Sequence, residues 1–275
     1  THTTPTPISP ISSIARWASG GRVRFRTDSR SLAVRMGLKA LEVAQCMPLT
    51  GSAGADVFLG VGAQSRYVGF VAPETYGNRV VETELSLTGK LEQVTINLPR
   101  NEPLDFLEIG VEDGAQLLPP LPYRYETPVV FYGSSITEGG AASRPGNAYT
   151  SVVCRRLGCG YINLGFARSA RGEPAMARFL AGLSMSALVL DYDHNAPTVE
   201  FLRETHGPFF RTIRQAQPHL PVLVLSRPNF FRDPEDSARR REVIWDTCRA
   251  AWAQGDRNIC FLDGETLLAG SEPSN

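Results

Sequence analysis

Between Leu117 and Pro122 the chain changes its hydrophobic rhythm, and this change limits what it can fold into more than any other feature. From Thr127 onward the apolar residues come in continuous short runs: Val129-Val130-Phe131-Tyr132, Tyr161–Leu164, Ala187–Asp191, Val222–Ser226 and Ile259–Asp263. Runs of that length without polar alternation are the pattern of strands buried on both faces. Helix-length stretches lie between them, near residues 147–157, 173–183, 198–217 and 235–255. The last of these carries Val243, Ile244, Thr247 and Ala251 on one side. Five strands alternating with four helices predict a βαβ series and a five-stranded parallel sheet covered on both sides.

Ahead of the change the period is two. Arg22, Val23, Arg24, Phe25 and Arg26 alternate charge with apolar bulk, and Leu32–Met36 follows after Asp28-Ser29-Arg30. Val57–Val61, Arg66–Val71, Val94–Leu98 and Phe106–Val111 are further strand candidates, separated by Gly, Pro, Asn or Asp. Many short strands without helical periodicity predict an antiparallel β-sandwich. The expected organisation is a tail over 1–19, a β-sandwich over 20–118, a proline-rich stiff linker over 119–126 and an α/β domain over 127–275.

Composition removes several functions. The 28 basic and 28 acidic residues cancel, which argues against a nucleic-acid binder driven by phosphate attraction. No apolar run approaches the roughly 18 residues a membrane span needs. The five cysteines are too scattered for a disulfide framework, and no Cys/His cluster has metal-ligand spacing, so buried or incidental thiols and no metal are expected. Gly139-Gly140 lacks the lysine and spacing of a phosphate loop, so no cofactor is expected. The start of the chain shows no signal-peptide pattern, which gives a cytoplasmic expectation.

In a parallel sheet, ligands sit outside the carboxyl ends of the strands, so the residues after each apolar run carry the information. Ser134 and Ser135 follow the first run, Gly165 the second, His194 and Asn195 the third, and Asn229 the fourth. A serine can act as nucleophile, while a glycine N–H and an asparagine amide can donate to a developing oxyanion. Gly133-Ser134-Ser135-Ile136-Thr137-x-Gly139 resembles block I of the GDSL, or SGNH, hydrolases, written Gly-Asp-Ser-x-Thr-x-Gly. Gly165 and Asn195 match the glycine and asparagine of the next two blocks. The resemblance covers about 127–275. It implies a flavodoxin-like three-layer α/β fold, with Ser135 as nucleophile and Ser135, Gly165 and Asn195 as oxyanion hole. Ser134 stands where most relatives have Asp. Gly54-Ala55-Asp56-Val57-Phe58 resembles the Gly-x-Asp-Leu-Tyr motif of a small β domain fused ahead of one branch of these hydrolases.

The resemblance implies an acyl ester or thioester donor, with water or a hydroxyl of a carbohydrate or natural product as acceptor. It also implies a C-terminal Asp-x-x-His that supplies the base and the residue orienting it. None of His2, His194, His206 and His219 lies in such a block. Three readings stay open: a chain that continues past Asn275, a non-catalytic glycan or ester binder, or a recruited histidine, for which His194 is the candidate. His206 and His219 read as surface residues. Arg168 and Arg171 follow the second block at the cleft edge, where Arg168 can contact substrate or stay solvated, and Asp191 and Asp193 read as hydrogen-bonding groups at a strand end.

Overall fold

The computed structural model describes residues 17–41, 47–228 and 232–267. The strands of the first part are β1 (Arg22–Thr27), β2 (Ser31–Leu38), β3 (Ala55–Leu59), β4 (Arg66–Val71), β5 (Val80–Ser86), β6 (Glu92–Asn97), β7 (Leu104–Val111) and β8 (Leu117–Leu118), with a short helix α1 (Leu49–Ser52) ahead of β3. They form two antiparallel sheets, ordered β4-β3-β6-β1-β8 and β5-β2-β7. The period-two pattern explains why the sheets pack. Phe25, Val57, Val94 and Ile96 of the first sheet meet Leu32, Val34 and Met36 of the second in one apolar core.

Two details differ from the sequence reading. Val80–Ser86 is a strand that the reading did not include, paired along β2 from Ser31↔Ser86 to Gly37↔Val80. Leu117-Leu118, expected where the stiff connector begins, instead pairs with Thr27 and Arg26 as the edge strand of the first sheet.

The second part contains β9 (Tyr125–Gly133), α2 (Ser135–Glu138), α3 (Tyr149–Leu157), β10 (Cys159–Gly165), α4 (Pro174–Ala181), β11 (Ala187–Asp191), α5 (Val199–Ala216), β12 (Val222–Leu225), α6 (Pro234–Ala253), β13 (Ile259–Leu262) and α7 (Gly264–Leu267). The five strands form a parallel sheet in the order β10-β9-β11-β12-β13. This is the flavodoxin-like order, and its switch point falls where the chain turns from β9 toward β10 on one side and β11 on the other. The apolar runs are buried as expected, with Val130, Leu188, Leu190 and Val224 at or near zero exposure. Val243, Ile244, Thr247 and Ala251 form the buried side of α6.

Two compact units result. One holds residues up to Glu126 together with Glu138–Asn163, and the other holds Thr127–Thr137 and the chain from Leu164. Within the first, Asp56 ties Arg144 and Gly146 to β3 and β6. Its buried carboxylate accepts from Asn97 Nδ2 at 2.8 Å and from the Gly146 N–H at 3.0 Å, and Arg144 Nε lies 3.6 Å away. Gly146 has no alternative there, because a Cβ would sit 2.6 Å from the Phe58 ring and 2.7 Å from Asp56 Oδ2. Burial pushes the Asp56 carboxyl up, against those hydrogen bonds and arginines that pull it down.

Among the described residues Cys154, Cys159 and Cys248 are buried free thiols and Cys260 is an exposed one. No described helix is long and apolar enough to cross a membrane.

Candidate active site

Ser134 and Ser135 are neighbours with opposite environments. Ser134 is fully buried, its N–H donates to the Asp191 carbonyl at 2.8 Å, and its Oγ accepts from the Ile136 N–H at 3.2 Å. That second bond caps the start of α2, which Ser135 opens. Ser135 itself is exposed. The local chain allows nothing bulkier before it: a Cβ on Gly133 would lie 2.0 Å from Thr137 Oγ1 and 2.4 Å from the Asp191 carbonyl. Thr137 Oγ1 in turn donates to Asp191 Oδ2 at 2.9 Å, and Gly133 is in parallel register with Asp191. The serine turn is therefore fastened to the end of β11 by a backbone bond and a buried side-chain bond.

The other two loops join the same cluster. The Phe166 N–H, one residue after Gly165, donates to the Gly133 carbonyl at 2.9 Å. Asn195 Nδ2 donates to the Phe166 carbonyl at 2.9 Å, and Asn195 Oδ1 accepts from the Arg168 N–H at 3.1 Å. Both ends of the Asn195 amide are thus fixed. An amide NH₂ has two hydrogens and one is committed to Phe166, so the other remains to be donated. Arg168 adopts φ 62°, an uncommon conformation for a side-chain-bearing residue, and it is this conformation that presents its N–H to Asn195. Its side chain is exposed, and Arg171 Nε donates to the Arg168 carbonyl at 3.1 Å.

The Asn195 turn is braced from the other side by Arg240, which the sequence reading did not single out, and by Asp193, which it read as a hydrogen-bonding group. Arg240 of α6 donates from one guanidinium nitrogen to the carbonyls of Asp193 and Ala196 at 2.8 and 2.9 Å, and from Nε to Asp236 at 2.7 Å. Asp193 Oδ2 accepts from the Arg227 N–H at 3.1 Å, and burial pushes the Asp193 carboxyl up to about 6. An arginine one helix away leaves no signal in a strand-end reading. Only its place on the buried side of α6, three residues before Val243, marks it.

His194 is half-buried, and its Nε2 has no hydrogen-bond partner among the described residues. Burial first, and then Arg227, Arg240 and Arg232, push its pKa down to about 4. Its ring is neutral near pH 7 and Nε2 is not bonded to Ser135. His206 corrects the sequence reading: it is buried, not at the surface. Its Nδ1 lies 2.8 Å from Thr247 Oγ1, and its ring stacks on Tyr192 with centroids 5.5 Å apart. His219 is exposed, as expected. Asn229 lies outside the described residues. No described group of three or more His, Cys, Asp or Glu is placed to hold a metal ion.

The parallel sheet in flavodoxin-like order thus carries an exposed serine after its first strand and an oriented asparagine amide after its third. The family model described as GDSL-like Lipase/Acylhydrolase matches residues 126–272, and the chain belongs to that family. A model described as the N-terminus of Esterase_SGNH_hydro-type matches residues 3–117. The fold is shared with a protein described as a GDSL-like lipase from Bacteroides ovatus, at 24% identity and TM-score 0.84, with 96% of this chain and 79% of that one covered. It is also shared with a salicylyl-acyltransferase from a tetracycline biosynthetic pathway, at 22% identity and TM-score 0.74, covering 96% and 75%. A family two carbohydrate esterase from Clostridium thermocellum aligns at 12% identity and TM-score 0.61, covering 89% and 81%. No curated protein matches the sequence. The protein is a serine esterase or acyltransferase of the GDSL/SGNH class.

Proposed function

We propose that the protein transfers an acyl group by way of an acyl-enzyme on Ser135. The observation that carries this reading is the Asn195 amide: Arg168 N–H on its Oδ1 and Phe166 carbonyl on its Nδ2 hold one N–H uncommitted, in a loop tied to the serine turn. Ser135 Oγ attacks the carbonyl carbon of an ester or thioester. The carbonyl π electrons move onto oxygen, which receives hydrogen bonds from the Ser135 and Gly165 N–H groups and the Asn195 amide. Collapse re-forms the C=O bond and expels the alcohol or thiol, which leaves with the proton taken from the serine hydroxyl. A second attack, by water or by a hydroxyl, releases the acid or the new ester and returns the proton to Ser135. The base for both proton transfers is a histidine by family resemblance, and His194, neutral and not bonded to Ser135, is a wall residue in this reading.

The donor is an acyl ester or acyl thioester, and the acceptor is water or a hydroxyl of a carbohydrate or natural product. Carbohydrate esters and aryl acyl groups are the substrates to try first, because fold relatives include a carbohydrate esterase and a salicylyl-acyltransferase. A fluorophosphonate probe should label the protein on Ser135, and Ser135→Ala should abolish labelling. Asn195→Ala should slow acyl transfer by about 10²–10³-fold with the fold intact. Equal labelling of Ser135→Ala would overturn the assignment. Product analysis with a labelled acyl donor, with and without candidate alcohols, separates hydrolysis from transfer.

A further inference from the structure

The β-sheet unit carries a cleft of its own, distinct from the serine site. On the first sheet Phe25, Val57, Val94 and Ile96 point into the apolar core, so Arg24, Phe58, Gln93, Thr95 and Asn97 face the other way. That outward face is covered by α3 and the segment around Leu121–Arg124, yet it is not filled. A cleft of about 480 Å³ remains between them. The cleft opens to solvent, and its volume is that of a small-molecule site.

The lining is one-signed. It includes Arg24, Arg124, Arg155 and Arg156 and no aspartate or glutamate, in a chain whose overall charges cancel. None of the four forms a salt bridge among the described residues. Asp56, the acid that acts on Arg155, is already engaged by Asn97, Gly146 and Arg144. Two of the guanidinium groups are pre-oriented. Arg24 lies flat over the Tyr123 ring at 3.7 Å and donates to the Leu121 carbonyl at 2.9 Å. Arg155 lies over the Phe58 ring at 4.1 Å and donates to the Gly146 carbonyl at 2.8 Å. Of the five N–H donors of a guanidinium, Arg155 spends one on that carbonyl and Arg24 spends two, on Leu121 and Tyr123, so each keeps donors for an oxyanion. Burial disfavours the charge on both Arg155 and Arg24, against Asp56 and Tyr161 on the first and Tyr123 on the second, which favour it, and the net direction for both is down. Val61, Leu121 and Leu157 supply exposed apolar surface beside these charges.

We propose that this cleft is a binding site for a small organic anion, a carboxylate or phosphate monoester attached to a flat apolar body. The anionic group sits on the guanidinium edges and the body against the exposed apolar side chains of Val61, Leu121 and Leu157. A bare inorganic anion uses half of the site and a neutral aromatic the other half.

The test uses the full chain and isothermal titration with phenyl phosphate, benzoate, inorganic phosphate and benzyl alcohol. Saturable one-site binding is expected for phenyl phosphate or benzoate, at least tenfold tighter than for inorganic phosphate or benzyl alcohol. The double variant Arg124→Gln/Arg156→Gln changes two exposed side chains and should weaken that binding at least tenfold without moving the thermal midpoint. Ser135→Ala should leave it unchanged, which separates this site from the catalytic reading. Absence of saturable binding for both aromatic anions, equal binding of inorganic phosphate, retention of full affinity by the double variant, or loss in Ser135→Ala would each overturn the proposal.

Discussion

At the scale of single residues, the two adjacent serines show how one covalent step of chain changes a side chain's chemistry. Ser134 is enclosed, and its oxygen is spent on the first turn of α2; Ser135 opens that turn and faces solvent. Serine and aspartate are comparably good N-caps, and Ser134 fills that role with its bond to the Ile136 N–H. Ser134→Ala should cost about 1 kcal/mol, read as a lower urea midpoint, and should retain fluorophosphonate labelling. Asp56 makes the second residue-scale case. Asp56→Ala leaves the Gly146 N–H and the Asn97 amide buried without their acceptor, and the expected loss is about 3 kcal/mol in equilibrium unfolding. A loss below about 1 kcal/mol would mean that water replaces the carboxylate. The placement of Ser135, Gly165 and Asn195 at strand ends was readable because each ends or follows an apolar run, and strand ends are where a parallel sheet exposes its loops. His206 was not legible as a lone polar residue. Its spacing from Leu202 and Phe209 was the available signal, since positions four before and three after share its helix face.

At the scale of elements, the apolar runs of the parallel sheet were readable because burial on both faces leaves no polar residue to interrupt them. The half-buried strand Val80–Ser86 was harder: Glu82 and Glu84 alternate with Val81, Thr83 and Leu85, and only the pairing with β2 shows that the weak alternation is real. Helix α6 contributes through Arg240, whose guanidinium spans two carbonyls of the Asn195 turn and the carboxylate of Asp236. Arg240→Ala should leave both carbonyls without a donor, lower stability by about 3 kcal/mol, and slow labelling of Ser135 by about tenfold or more as Asn195 loses its seat. Arg240→Lys should recover part of the stability and little of the labelling rate, because an ammonium cannot replace the planar fork. Equal labelling rates in all three proteins would show that the turn holds without α6.

At the scale of the whole molecule, acid resistance is set by groups that the mechanism does not use. His206 is buried and its pKa is pushed down to about 4 by burial alone, from an ordinary value of 6.5. The unfolded chain protonates this histidine as the pH falls below about 6.5, whereas the folded chain resists until about 4. Between those values the unfolded state binds more protons, so stability falls with falling pH. His194 acts in the same direction over the same window. Asp193, raised to about 6, acts in the opposite one: the folded state holds its proton longer, so ionisation of the unfolded chain removes stability as pH rises from about 4 to 6. One histidine is offset by Asp193, and the other leaves a net loss on acidification. His206→Gln keeps a hydrogen-bonding partner for Thr247 and removes the titration. The wild-type protein should lose about 2 kcal/mol more than His206→Gln between pH 7 and pH 4.5, measured by urea unfolding at each pH. Identical pH slopes for the two proteins would place the acid sensitivity in other groups and leave the buried imidazole a packing residue alone.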